Sequence, residues 1–144
     1  MNLKELSAHL QFECYQPNSY HIGSNWSGCG DSYCIDRVGE MYEVFYVERG
    51  QRNEATHRCV TEAEACSAIL AELDRDRFSR AHCVGLFSAE SEANVLAQQL
   101  GSAGIRVHRD SFLFSSPSDF RYRIFVFGRD KIRAEEVIDS AEGT

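Results

Sequence analysis

The residues with the chemistry to ligate a metal or attack a substrate are six cysteines and five histidines. Cys29 and Cys34 have four residues between them in Cys29-Gly30-Asp31-Ser32-Tyr33-Cys34. Structural zinc sites use tighter pairs and close the shell with four ligands. Cys59 and Cys66 are seven apart, with His57 two residues before Cys59. A full ligand set would have to be gathered from distant positions, so the pattern reads as reduced core thiols with no metal and no cofactor. Cys34, Cys66 and Cys83 fall at strand or helix positions expected to be buried. Cysteine catalysis needs a thiol beside a base. His82 and Cys83 are neighbours, but on a strand they face opposite ways. His21, His57 and His108 have no partner at a useful spacing. Glu62 and Glu64 sit where a helix dipole favours acids. The run Gly23–Ser32, GSNWSGCGDS, lacks the Lys-Ser/Thr ending of a phosphate loop and no helix follows it. No constellation is coherent, and the chain is expected not to be an enzyme.

What remains are residue types suited to recognition. Trp26 is the one tryptophan. It either tucks onto the core or anchors a partner, since interface hot spots favour Trp, Tyr and Arg. Asp31, Asp36, Glu40, Glu43 and Glu48 follow, with Arg37 the one base between Asp31 and Glu48. They form either a solvated strand edge or a docking face for a basic protein. In Glu48-Arg49-Gly50-Gln51, Arg49 either pairs with Glu48 or Glu54 to shape a turn or is presented, with Gln51, to a partner. The expected partner-binding set is therefore Trp26, Asp31, Asp36, Glu40, Glu43, Glu48, Arg49 and Gln51.

Charge bounds the partner. The chain carries −7 with a pI near 5.2. Residues 1–80 hold 13 acids and 8 bases, and residues 81–144 hold 9 acids and 7 bases. A nucleic-acid binder is expected to be basic, so the balance points away from nucleic acid and toward a basic protein. No apolar run approaches the ~20 residues of a membrane span, and Met1–Leu6 has no signal-like apolar region. A cytoplasmic protein with no membrane contact is expected.

The elements that must position these residues follow from periodicity and turn chemistry. Leu3, Leu6 and Leu10 predict a helix over 2–10. Residues 20–22 read as a short strand and 23–32 as a loop. Residues 33–37 and 41–48 read as a hairpin about Val38-Gly39-Glu40, and 57–60 as a brief strand. Thr61 and Glu64 form a capping box for a helix with Cys66, Ile69, Leu70 and Leu73 on one face. Residues 82–87 predict a strand, and Ser88 a cap for a helix over 89–100 ended by Gly101 and Gly104. Residues 105–114 and 120–127 predict strands. Asp130 caps a last helix that turns Ala134, Val137, Ile138 and Ala141 inward.

The fold class is α+β: an antiparallel sheet with helices packed on it. The C-terminal half is ferredoxin-like (β-α-β-β-α), and the N-terminal half is a β-hairpin plus helix. One domain over 1–144 is expected, with subdomains about 1–80 and 81–144. The β-α-β-β-α unit lacks its last strand, and bare edges are normally covered. The N-terminal hairpin is expected to supply that cover, or a second copy does so as a homodimer.

The stretch GDSYCIDRVGEMYEVFYVERGQ, residues 30–51, followed by TEAEACSAIL, residues 61–70, resembles small cytosolic immunity proteins of bacterial polymorphic toxin systems, of the Rhs and contact-dependent-inhibition kind. The resemblance spans residues 30–70 of the 144. It implies direct binding and neutralisation of a cognate toxin domain, without catalysis. Residues 83–127 also resemble a peptidoglycan-binding SPOR-type repeat in their β-α-β-β pattern. A regulatory small-ligand-binding domain is the third alternative, and it would need an apolar pocket with a few converging polar groups.

Overall fold

The computed structural model describes residues 1–142. Its contacts divide the chain into two compact units, residues 1–79 and 80–144.

The first unit begins with α1 (Leu3–Phe12). Asn2 and Glu5 form a reciprocal cap: the Glu5 N–H donates to Asn2 Oδ1 at 2.8 Å and the Asn2 N–H to Glu5 Oε1 at 3.2 Å. Then come β1 (Tyr20–Ile22), a single 3-10 turn (Trp26–Gly28), β2 (Ser32–Val38), β3 (Met41–Glu48), β4 (Gln51–Arg52), β5 (His57–Cys59) and α2 (Glu62–Arg75). The sheet runs β1-β2-β3-β4, with β5 also on β3. The β1–β2 pair is parallel and the others antiparallel. Both β4 and β5 can pair with β3 because they take different stretches of it, Val47–Glu48 and Tyr42–Val44. The chain between them stays bonded through Asn53 N–H to the Tyr46 carbonyl and Thr56 N–H to the Val44 carbonyl. Leu6 and Leu10 from α1, Cys66, Ile69 and Leu73 from α2, and Ile35 and Val44 from the sheet form its main core.

The second unit comprises β6 (Ala81–Phe87), α3 (Glu90–Ser102), β7 (His108–Leu113), β8 (Phe120–Phe127) and α4 (Asp130–Glu142). Its sheet order is β6-β8-β7, antiparallel throughout. The α3 crossover therefore joins two strands with β8 inserted between them. Both helices pack on one face: Ala93, Leu96, Leu100 and Ala134 close over Ile124 and Val126. Gly85, at a bulge in β6, permits the closeness of that layer, since a Cβ there would lie 2.7 Å from Leu96 and 2.6 Å from Phe87. Gly104, at φ +77°, ends α3 and returns the Ile105 N–H to the Leu100 carbonyl.

The α+β class and the order of helices and strands are as expected. Several particulars differ. Thr61 accepts the Glu64 N–H at 3.2 Å without the return bond of the expected capping box, and Asp130 is the first residue of α4 rather than its cap. The expected single sheet is two sheets: the β2–β3 hairpin is taken up by β1, β4 and β5 and gives no strand to the second sheet. Cys83 is exposed, not buried, because it alternates with His82, which faces inward. Ala89, not Ser88, is the N-cap of α3, and it makes no side-chain capping bond. Strand β7 starts at His108, because Ile105 is drawn into the core by the Gly104 turn. Ala141 is exposed, one turn beyond where α4 leaves the core. Among the described residues no helix is long and apolar enough to cross a membrane.

Candidate functional site

In the first unit, α1 and α2 cover one face of the sheet. Alternation along β3 turns Glu43, Phe45 and Val47 to the other. Cys34, Phe45 and Val47 are fully buried there nonetheless. Their cover is local. Trp26, half-buried, meets Phe45 edge-on with ring centroids 5.7 Å apart at 77°. The Arg52 guanidinium lies 3.9 Å from the Phe45 ring centroid. Arg52 Nη2 also donates to Glu43 Oε1 at 2.5 Å, and Arg58 Nε to Glu43 Oε2 at 2.9 Å. The Arg52 hydrogen bond, with Arg58 behind it, holds the Glu43 carboxyl below its ordinary range. Burial pushes the Cys34 thiol up.

The register explains why Glu43 needs two arginines. Asp36 is its cross-strand partner, and like charges directly opposite one another are destabilising. Asp36 turns to the Arg37 N–H at 2.8 Å, and Glu43 takes both guanidinium groups. The acidic stretch is thus not a bare acidic face.

Glu48-Arg49-Gly50-Gln51 is a hairpin turn. Glu48 pairs with Gln51, and the two central residues have φ of +53° and +77°. Two successive positive φ values mark the type I′ turn that suits the twist of flanking strands. Asp31 Oδ1 accepts the Arg49 N–H at 2.8 Å, which fixes the turn to the end of the Trp26 loop. Among the described residues the Arg49 side chain has no ion-pair partner, so the local pairing with Glu48 or Glu54 does not form.

The eight expected residues are therefore distributed. Trp26 and Glu43 meet on one face through Phe45 and Arg52. Asp31, Glu48, Arg49 and Gln51 gather at the β3–β4 turn. Asp36 lies beside Glu43. Glu40 is exposed in the β2–β3 turn, at the far end of β3. Sequence reasoning missed Phe45, Arg52 and Arg58. A signal was present: a two-residue Arg49-Gly50 turn sets Arg52 opposite Val47, beside Phe45.

The second sheet has a contrasting outer face. Opposite the helix side, β8 turns out Arg121, Arg123, Phe125 and Phe127, and β7 turns out His108, Asp110 and Phe112. Guanidinium groups lie over the rings: Arg123 over Phe112 at 5.0 Å and Phe125 at 5.1 Å, Arg121 over Phe114 at 4.6 Å, Arg106 over Phe127 at 5.6 Å. Asp110 takes both Arg123 Nε and Nη2, at 2.7 and 2.6 Å. Asp119 pairs with Arg121. On the helix side, an open groove of about 280 Å³ runs past Val84, Phe87, Val95, Leu96 and Ile138, just short of the ~300–1,000 Å³ of small-ligand sites.

Comparison with known proteins gives no match to a family model, a curated protein or a solved structure. Among the described residues no three His, Cys, Asp or Glu side chains converge on a common point. All six cysteines carry free thiols.

Proposed function

We propose that the chain is a non-enzymatic immunity protein of the cytoplasm, which neutralises a basic toxin domain by direct contact through the Trp26 face of its first unit. The observation that carries this reading is the state of Trp26. It is half-exposed, and its ring is braced edge-on by a fully buried Phe45. A rigid, partly exposed aromatic loses little conformational freedom on binding, which is the property of an interface anchor. Arg52 and Arg58 beside it are held by Glu43. Asp31 and Glu48 remain exposed at the rim, and Glu40 is exposed at the far end of β3; exposed acids act mainly on encounter rate with a basic partner.

The reading expects a toxin reading frame directly upstream, and its test is co-expression with the toxin domain of that frame. The chain is expected to restore growth and to co-purify with the toxin domain. Trp26→Ala, once shown to be folded, is expected to speed dissociation by tenfold or more if it removes a typical ~2 kcal/mol anchor. Unimpaired toxicity in the presence of folded wild-type chain would refute the reading.

A further inference from the structure

The second unit holds most of its acids on its helices. Helices α3 and α4 carry seven acids and two bases, −5. The rest of residues 80–144 carries six arginines and two aspartates, +4. The chain-wide −7 conceals this, because net charge averages over faces that a ligand meets one at a time.

The outer sheet face brings together Phe112, Phe125 and Phe127 with Arg106, Arg121 and Arg123, ring and guanidinium at 4.6 to 5.6 Å with the neighbouring Phe114, and the carboxylates against these arginines are Asp110 and Asp119. Phe114 is 62% exposed, and Leu86, on the same face of β6, is 56% exposed. Flat aromatic rings and flat guanidinium groups side by side offer stacking surfaces for bases, and the same guanidinium groups offer donors for phosphates. Asp110 holds the Arg123 fork in place, so the stacking geometry exists before a ligand arrives. Three arginines against two carboxylates leave this face net positive, which favours a polyanion over a neutral or cationic chain.

We propose that the outer face of the β6-β8-β7 sheet binds single-stranded nucleic acid, with bases on Phe112, Phe114 and Phe125 and phosphates on Arg106 and, in exchange for Asp119, on Arg121. This stands apart from the immunity reading, which uses the first unit. Duplex is disfavoured because its bases are already stacked on each other and offer no free ring face.

The experiment is fluorescence anisotropy of the full chain with labelled oligouridylate and oligothymidylate of about 10 nucleotides. Affinity is expected to fall roughly tenfold between about 50 and about 200 mM salt, as for two to three phosphate contacts on a single strand. Phe114→Ala removes a ring too exposed to matter for folding, and is expected to weaken binding about fivefold or more. Arg106→Gln is expected to make the salt slope shallower by about 0.7. Absence of binding at the lower salt overturns the proposal. So does unchanged affinity in both variants. Equal binding of a duplex, equal competition by polyglutamate, or preference for a peptidoglycan glycan strand would each overturn it in favour of a different ligand class.

Discussion

The two sheets solve one problem in opposite ways. Each has a face that its own helices leave uncovered, and each places phenylalanine and arginine there. In the first unit the Trp26 loop folds over that face, Phe45 is fully buried, and Arg52 is committed to the ring and to Glu43. In the second, the rings stay half-buried or exposed, and each is overlaid by a guanidinium instead of a loop. The same residue pair thus serves as core in one unit and as surface in the other. What decides is whether local chain is available to exclude water.

That contrast sets the order of the expected effects. Phe45→Ala removes a buried ring with no alternative filling, and is expected to destabilise the first unit by about 3–5 kcal/mol in chemical denaturation. Phe125→Ala on the open face is expected to cost the second unit only about 1–2 kcal/mol, since a half-buried ring leaves less cavity. Equal costs would break the comparison.

Glu43→Gln comes next, at about 1–3 kcal/mol near neutral pH. It leaves Arg52 and Arg58 without their counter-charge, with Arg58 mostly solvated and contributing little. The pH dependence has a definite sign. The folded carboxyl is held below its unfolded value, so its stabilisation is present above the ordinary glutamate range and is lost as pH falls through the lower, folded value. The gap between wild type and Glu43→Gln, measured by denaturation across pH 7 to about pH 3, should narrow toward the acid end. A constant gap would remove the ion pair from the account.

The β3–β4 turn gives the smaller effects. Gly50→Ala places a Cβ at φ +77° and is expected to cost about 1–2 kcal/mol. Arg49→Asn, at φ +53°, is expected to leave stability unchanged or raise it by about 0.5 kcal/mol, because Asn tolerates this region better. If Arg49→Asn also leaves affinity for the proposed toxin domain intact, Arg49 acts only as a turn residue.

Thiol reactivity sharpens the comparison of buried and open faces. Cys83 is expected to react first in the folded chain and Cys34 and Cys66 last, with all six accessible after denaturation. Timed thiol titration followed by peptide mapping decides the order.

Much of this was legible from the residues. The 3.6-residue period of Cys66, Ile69 and Leu73, the alternation in Phe120–Phe127, and the turn chemistry of the hairpin fix the elements through local physics. Sheet membership was not legible, because backbone pairing is non-local and β4, only two residues long, gives no periodic signal. The Trp26–Phe45–Arg52 assembly was half legible. Trp26 stood out by type and Arg52 did not, since its position depends on a two-residue turn and the register that follows from it. The acidic stretch misled for the same reason: Glu43 reads as a free acid until Arg52 and Arg58 arrive from β4 and β5.

The proposed contact between a toxin domain and the Trp26 face is directly observable through the chain's single tryptophan. Incorporating 5-fluorotryptophan gives one fluorine signal from this chain. Titration with the unlabelled toxin domain is expected to shift or broaden that signal saturably, in step with complex formation seen by size-exclusion chromatography. A complex that forms while the Trp26 signal keeps its shift and width would place the interface elsewhere and contradict the account.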